Sequence, residues 1–169
     1  MQDMTEYLEP VRYNTGKVDW TLLPWDYKMI TEMVKVCLPL SNSNRFGLGD
    51  QMLPLLIEED VFKLLCISLM INDKKYPTEN PNHYFIPWDA LEDVCRVLAF
   101  GAEKYARDNF KIAPGLPLES YIQSMWRHLV QYLRGEDIDI ESKLPHLSHL
   151  ACNAFMYLWT KKEYHSDLP

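Results

Sequence analysis

The stretch WRHLVQYLRGEDIDIESKLPHLSHLACNAFMYLW, residues 126–159, decides the fold, because two helical patterns meet there at one short acidic connection. The first pattern ends where Gly135 breaks it, and Pro145 starts the second. Most of the groups able to do chemistry at neutral pH lie in this hairpin: Arg127, His128, Arg134, Glu136, Asp137, Asp139, Glu141, His146, His149 and Asn153. An ordinary helical hairpin does not need this density of acids, histidines and arginines, so the sequence favours a functional site on a helical scaffold.

Apolar residues at helical spacing predict five helices, over residues 25–38, 58–72, 88–105, 118–134 and 145–162. Pro39 is expected to end the first helix, and the stretches 39–54, 73–87 and 108–117 are predicted to be loops. Tyr105 on the third helix and Leu133 on the fourth are expected to face the core. No stretch shows the period of two that marks a strand. The sequence therefore predicts an all-α fold, a compact helical bundle of about five helices with long connecting loops.

Composition narrows the possible partners of the chain. The 169 residues predict a polar N-terminal arm, 1–16, followed by a single helical domain, 17–169. A net charge of -7 without a basic stripe disfavours nucleic-acid binding. No apolar run approaches the ~20 residues that cross a bilayer, and no signal sequence is present. The four cysteines lie far apart inside apolar runs, without metal-binding spacing. We expect a cytoplasmic protein with neither a nucleic-acid nor a membrane partner.

Clustered carboxylates suit Mg²⁺ or Mn²⁺, which bridge phosphate oxygens, and nearby arginines would neutralise the remaining phosphate charge. Histidines donate to a phosphate, position a water or bind a transition metal. Glu92 and Glu103 lie on one face of the third predicted helix, but about 16 Å apart, so both cannot hold one ion. The alternative is a solvated acidic turn, with His146 and His149 as ordinary interhelix hydrogen-bonders. Taken together, these residues favour the functional interpretation.

Three segments also carry a family resemblance: FGAEKYARDNF (residues 100–110), WRHLVQYLRGEDIDIES (126–142) and HLSHLACNA (146–154). They resemble the dATP/dGTP diphosphohydrolases, a mostly phage-encoded family linked in name and proposed chemistry to MazG-like nucleotide pyrophosphohydrolases. The upstream KVDWTLLP (17–24) also resembles the segment that opens the family domain. The resemblance implies Mg²⁺-assisted hydrolysis of a deoxynucleoside triphosphate, such as dGTP or dATP, to the monophosphate and pyrophosphate.

The resemblance also implies roles for individual residues. It makes Glu136, Asp139 and His128 catalytic candidates. The implied metal ligands are Glu92, Glu136, Asp139 and Glu141. The other matched positions would bind substrate: Lys104, Tyr105, Asn109, Arg127, His146 and His149. Arg134 and Asn153, which the hairpin pattern itself singles out, are expected to bind substrate with them.

The chain departs from the family pattern at several positions. About 60 residues separate the LLP segment from the helix before GAEKY, which predicts an insertion at about 39–86. Glu103 stands where the family tends to have lysine, Phe110 replaces a tryptophan, and Lys143 replaces the glycine after the acidic run. The insertion could cover the site, change the substrate or build an oligomer contact.

Two other hypotheses remain open from the sequence. One is a non-catalytic phage protein that sequesters a nucleotide on the same scaffold, although the intact acidic set favours catalysis. The other is an HD-like phosphohydrolase with His128, His146 and His149 on a transition metal, which no His-Asp doublet supports. We also expect a homo-oligomer, because short helical domains often complete a core or a site across a dimer.

Overall fold

The computed structural model of the protein describes residues 17–40, 45–73 and 86–166. Its seven α-helices are α1 (Tyr27–Leu40), α2 (Arg45–Leu48), α3 (Met52–Ile57), α4 (Val61–Asn72), α5 (Trp88–Lys104), α6 (Leu118–Leu133) and α7 (His146–Tyr164). Short 3₁₀ turns span Trp20–Leu22, Gly49–Gln51 and Asn109–Lys111. Within these ranges the only β-type pairing is an isolated bridge between Ile138 and Pro145. The all-α prediction is confirmed, whereas the predicted arm, 1–16, lies outside the described residues.

Helix α7 is the centre of the bundle, because α4, α5 and α6 all pack against it. Its side chains are buried around most of its circumference, and α4 is similarly enclosed, so both helices are core elements rather than amphipathic surface helices. The largest fully buried side chains include Tyr121 of α6 and Phe155 of α7. None of the helices in the described ranges has the length and apolar character that a membrane crossing requires.

The segment before α1 is fastened to the far side of the bundle. Asp26 accepts a hydrogen bond from the backbone N–H of Met29 at 2.8 Å, which caps the start of α1. Its other oxygen accepts from Lys162 of α7 at 2.6 Å. Asp19 pairs with Arg107, which follows α5, at 2.7 Å. These contacts hold the first described residues against the last turn of α7 and the segment that follows α5.

The predicted loop at 39–54 is partly wrong, because α2, a 3₁₀ turn and most of the first turn of α3 lie in it. Prolines, glycines and small polar residues suggested a loop, but burial of Leu48 and Met52 in the core stabilises short helical turns there. Pro39 also lies inside α1, which ends one residue later. In a last turn a proline removes a single backbone hydrogen bond, so it does not stop the helix at once.

The predicted start of the second long helix is also early. Glu58 ends α3, and Glu59 takes a left-handed backbone conformation with φ of 55°. Asp60 then accepts from the backbone N–H of Lys63 and caps α4, which begins at Val61. The acidic run therefore separates two helices, with only its last member acting as a cap.

Two residues predicted to be buried are exposed. Tyr105 is 67% exposed because α5 ends at Lys104 and the chain turns away. Leu133, the last residue of α6, is 52% exposed. Helical periodicity predicts the buried face of a helix, but it does not show where the neighbouring helices stop covering that face.

The region of the predicted insertion contributes to the core. Helix α4 lies within residues 39–86 and packs directly against α7. Leu64, Leu65 and Ile67 of α4 are fully buried. The domain division remains a prediction, but any insertion here is built into the bundle rather than attached to its surface.

Candidate functional site

The α6–α7 hairpin closes α6 through a glycine. Gly135 has a φ of 91°, a left-handed conformation that costs glycine least. Its backbone N–H donates to the carbonyl of Tyr132, and the N–H of Glu136 donates to the carbonyl of Gln131, each at 3.0 Å. These bonds satisfy carbonyls at the end of the helix and turn the chain into the acidic connection.

The acidic connection is a tight, internally bonded turn rather than a solvated tail. The backbone N–H of Asp139 donates to Leu144, and that of Lys143 donates to Asp139, both at 2.9 Å. The N–H of His146 donates to the carbonyl of Asp137 at 2.9 Å, which ties the start of α7 to the turn. Lys143 has a φ of 63°. The glycine of the family pattern is therefore replaced here at a position where the backbone is left-handed and favours glycine.

Asp139, Ser142 and His149 form a network whose proton positions can be assigned. Burial acts to raise the pKa of Asp139, but hydrogen bonds from the backbone N–H and hydroxyl of Ser142, both at 2.8 Å, outweigh it and lower the pKa. The ionised carboxylate only accepts, so Ser142 donates its single hydroxyl hydrogen to Asp139.

His149 Nε2 lies 2.6 Å from the Ser142 hydroxyl oxygen, and it must donate its hydrogen there because the oxygen has no second hydrogen. Burial is the main cause that lowers the pKa of His149, so the ring is neutral and carries its hydrogen on Nε2. This arrangement leaves no base to activate the Ser142 hydroxyl as a nucleophile. Ser142 instead holds the carboxylate and the imidazole in place.

His128 joins the two helices of the hairpin through both neighbouring histidines. Its Nδ1 lies 2.9 Å from Nδ1 of His146, so one of these nitrogens donates and the other accepts. Its ring stacks on His149 with 4.6 Å between centroids and 10° between planes. Burial, and then the neighbouring His149 and His146, lower the pKa of His128 to about 4. The ring is therefore neutral at physiological pH, with one N–H to donate and one nitrogen to accept.

A cleft of about 500 Å³ runs along α6 and opens at this cluster. Its lining comes from one side of α6, the acidic turn and the start of α7: Trp126, Arg127, His128, Val130, Gln131, Arg134, Asp139 and His146. Arg127 and Arg134 are exposed, and neither forms an ion pair within the described ranges. The cleft thus has two uncommitted positive charges facing an ionised carboxylate and neutral histidines. Such a cleft suits an anionic ligand, because the arginines can bind its negative groups beside the polar carboxylate and histidine side chains.

Five of the predicted site residues line this cleft: Arg127, His128, Arg134, Asp139 and His146. His149 is not part of the lining, but its ring stacks on that of His128, which is. Asn153 lies one turn further along α7 and donates to the backbone carbonyl of His149 at 2.9 Å. The structure therefore brings together the residues predicted on the hairpin helices.

The other predicted residues lie outside the cleft lining. Lys104, the last residue of α5, pairs with Glu141 at 2.8 Å, and Glu92 pairs with Arg96 on α5 at 3.3 Å. Tyr105, Asn109 and Glu136 are exposed, the first two around the end of α5 and the third on the acidic turn. Within the described residues, the Lys104–Glu141 ion pair links the GAEKY segment directly to the acidic turn.

The predicted metal ligands do not form a preformed metal site. Across residues 17–40, 45–73 and 86–166, no three His, Cys, Asp or Glu side chains converge closely enough to hold a metal ion. Glu92 and Glu141 are each committed to a cation of the chain, and one oxygen of Asp139 is committed to Ser142. The described residues therefore hold no preformed all-protein metal site, and an Mg²⁺ or Mn²⁺ ion bound by one or two of these carboxylates would take its other ligands from water and substrate phosphates.

Sequence analysis did not select three residues that the structure brings into the site. Ser142 was read only as part of a family segment, although it bonds both Asp139 and His149. Trp126 and Gln131 line the cleft. The four-residue spacing of Gln131 from Arg127 on the helix was the available signal for Gln131, whereas no such spacing pointed to Trp126.

The fold and the site together define an all-α protein with an arginine- and histidine-lined cleft at a helical hairpin. Residues 71–167, more than half of the chain, match the model of the family described as dATP/dGTP diphosphohydrolase, N-terminal. The chain belongs to this family, which confirms the resemblance found in the sequence. Helices α5, α6 and α7, and the whole cleft lining, lie inside the matched residues.

A relative with the same description supports this membership. The chain is 35% identical over 68 residues to a dATP/dGTP diphosphohydrolase of Salmonella phage PMBT28. The match covers 40% of this chain and 22% of that protein, so it spans about a fifth of the relative's length. No solved structure matches the chain.

Proposed function

We propose that this protein hydrolyses a deoxynucleoside triphosphate, a purine one such as dGTP or dATP, to the monophosphate and pyrophosphate in the cleft at the α6–α7 hairpin. The observation that carries the proposal is the lining of the cleft. Two arginines without ion pairs in the described chain, Arg127 and Arg134, face the ionised Asp139 and the neutral His128. The family name and the name of the phage relative supply the reaction class.

The proposed reaction assigns the two arginines to the phosphate chain. A water oxygen bonds to the α-phosphorus, the bond from that phosphorus to the α–β bridging oxygen breaks, and pyrophosphate leaves with the electron pair of that bond. The two protons of the water pass to the product phosphates and the solvent. Arginine guanidinium groups offset the charge that develops on the phosphate oxygens. Asp139 Oδ1 has no hydrogen bond in the described chain, while Oδ2 is held by Ser142. We assign Asp139 Oδ1 to accept a hydrogen bond from the attacking water and so to orient it.

His128 supplies a hydrogen bond rather than a charge in this scheme. Its pKa of about 4 keeps the ring neutral at physiological pH. In this scheme His146 donates to His128 Nδ1, so His128 carries its one hydrogen on Nε2 and donates it to a phosphate oxygen. His146 and His149 fix its orientation through the Nδ1 contact and the ring stack. The pair of histidines therefore positions His128 against the cleft.

No step of this scheme runs through a metal ion, because the described residues offer no preformed ligand set. Dependence on Mg²⁺ or Mn²⁺ stays a prediction from the family resemblance. The alternative function is a nucleotide-sequestering protein on this scaffold, which would bind the nucleotide in the same cleft without turnover.

Product analysis with a panel of NTPs and dNTPs, with Mg²⁺ or Mn²⁺ and with EDTA, separates the two functions. We expect monophosphate and pyrophosphate from one or a few dNTPs. Asp139→Asn should lower turnover at least tenfold while nucleotide binding persists, and Glu163→Gln, an exposed acid on α7, should leave turnover unchanged. Glu136→Gln should also lower turnover if the catalytic and metal-ligand roles implied by the family resemblance hold. Tight binding of a nucleotide with no product of any kind would establish sequestration instead. Diphosphate and phosphate as products would move the chemistry to another class of phosphohydrolase.

We also propose that the protein is a homo-oligomer that acts in the cytoplasm. Val130, Leu133, Ile138 and Ile140 are exposed apolar side chains around the hairpin, and a second copy would bury them. The four cysteines are free and buried, which suits a reducing compartment where dNTPs are made. Light scattering coupled to size exclusion tests the assembly, and a monomeric mass at micromolar concentration would reject it.

A further inference from the structure

Gln131 occupies the centre of the cleft and has no assigned role. It lies on α6 between the two arginines, four residues after Arg127 and three residues before Arg134. At 3.6 residues per turn these three side chains fall within about 60° of one another around the helix, and along about 10 Å of its axis. They therefore form a row along one wall of the cleft, and all three belong to its lining.

The amide of Gln131 makes no hydrogen bond in the described chain. Its Oε1 atom is sealed from solvent without a partner, which is uncommon for a buried polar atom in a folded protein. The Nε2 atom is not sealed in this way and has no protein partner either. Gln131 is half-buried, and because its Oε1 atom is sealed from solvent, Nε2 is the amide atom that an acceptor group entering the cleft can reach.

The residues next to the Gln131 amide indicate what kind of ligand group would bind there. Arg127 and Arg134 present guanidinium N–H donors on either side, and neither has an ion pair in the described chain. With the open Nε2 amino group between them, the wall carries three successive sets of N–H donors and two positive charges. A linear polyanion with oxygen acceptors along its length matches such a row.

We propose that Gln131 is the central contact of a polyphosphate-binding row formed by Arg127, Gln131 and Arg134. The inference rests on the proposed nucleoside triphosphate substrate and extends it, because it locates the phosphate chain along α6 and assigns a residue that holds it. Gln131 donates from Nε2 to a phosphate oxygen, and the arginines neutralise the charge on each side. The row reads phosphate and not the base, so it contributes equally to the binding of every dNTP.

Inorganic tripolyphosphate is the probe, because it has the chain of phosphates and neither base nor sugar. Its affinity for the full-length protein is measured by calorimetry at fixed salt. Gln131→Met removes the donor at similar size and should weaken binding about tenfold. Gln131→Glu adds a negative charge between the arginines and should weaken it further. Gln51→Glu makes the same charge change at an exposed residue outside the cleft lining and should change affinity less than about twofold.

The same variants are then compared on dATP, dGTP, dCTP and dTTP. We expect the loss of affinity to be equal within about twofold for all four, as a contact to phosphate requires. A Gln131→Met protein that binds tripolyphosphate like the wild type would overturn the inference. A loss confined to one base would also overturn it, because Gln131 would then contact the base. Equal losses in Gln131→Glu and Gln51→Glu would show that the effect comes from net charge and would reject the row.

These outcomes are independent of the proposed reaction. If no dNTP is hydrolysed but tripolyphosphate binding depends on Gln131, the reaction fails and the phosphate row stands. If dNTPs are hydrolysed at the same efficiency by Gln131→Met and by the wild type, the reaction stands and the row fails. Thermal unfolding of each variant verifies that the affinities are measured on folded protein.

Discussion

Lowering the pH should destabilise this protein through the histidine cluster. The pKa of His128 falls from its ordinary 6.5 to about 4 in the fold, chiefly because of burial and then because of His149 and His146. Above pH 6.5 the imidazole is neutral in both the folded and the unfolded chain, so it adds no pH dependence. Between about pH 6.5 and 4 the unfolded chain binds a proton that the folded chain does not, and the free energy of unfolding falls. Below about pH 4 this contribution levels off.

The magnitude follows from the two pKa values of His128. A change from 6.5 to about 4 corresponds to at most about 3 kcal/mol. His128 is only half-buried, so solvent screens part of this effect, and we expect roughly 1.5–3 kcal/mol. His149, whose pKa is also lowered by burial, acts in the same direction. Asp139 acts in a different window, because its lowered pKa stabilises the fold above its ordinary 3.8 and that contribution is lost only below it.

Denaturant unfolding at about pH 7.5 and about pH 4.5 measures this difference. The wild type should lose roughly 1.5–3 kcal/mol of free energy of unfolding or more between the two conditions. His128→Phe keeps a ring against His149 but cannot titrate, so its loss should be smaller by the share of His128. His165→Phe, at the end of α7 and outside the cluster, should lose as much as the wild type. Equal free energies for the wild type at both pH values, or an undiminished loss in His128→Phe, would refute this account of the cluster.

Three further changes test other parts of the structure. Ser142→Ala removes the hydroxyl that bonds Asp139 and His149, so it should lower the free energy of unfolding by about 1–3 kcal/mol in denaturant titrations. It should also raise the pKa of Asp139, as measured by NMR. An unchanged titration of the Asp139 carboxyl group would contradict the network. Gly115→Ala places a Cβ 3.0 Å from Thr160 Cγ2 at a φ of 76°, so thermal unfolding should show a loss of stability of about 1–2 kcal/mol. Gly101→Ala, whose Cβ would lie in open space on α5, should cause no loss of stability. Removal of divalent cations with EDTA should abolish dNTP turnover if the family prediction of Mg²⁺ holds, and full turnover in EDTA would reject it.

Much of the scaffold could be predicted from the sequence because its signals are local. The long helices α4, α5, α6 and α7 follow from apolar periodicity, and their ends were predicted within about three residues. The hairpin site was predicted because Gly135 and Pro145 bracket an acidic run between two polar helix faces. Family motifs on the same residues gave the reaction class. The short helices α2 and α3 were missed because they are stabilised by burial of their apolar side chains, which no local pattern encodes.

The candidate site shows more clearly the difference between what local sequence predicts and what helix packing decides. Residue types and spacing alone nominated Arg127, His128, Asp139 and His146, which do meet in one cleft. The sequence did not reveal that Glu141 would be paired with Lys104, or that no three acids or histidines of the described chain converge on a metal. Ion pairs between different helices and turns depend on how these elements are positioned in space. The sequence alone therefore does not show whether a given carboxylate is free or ion-paired.

The sequence by itself determined that this chain forms helices, where the hairpin turns and which side chains crowd it, because these properties depend on residues a few positions apart. Only the tertiary structure decided how far this protonation of the site persists as the pH falls. Burial lowers the pKa of His128 to about 4, and hydrogen bonds from Ser142 lower the pKa of Asp139, so the ring stays neutral and the carboxylate ionised at lower pH than in the unfolded chain. Burial and hydrogen bonding between distant segments set the free energy of a charge, so they exist only once the helices have packed.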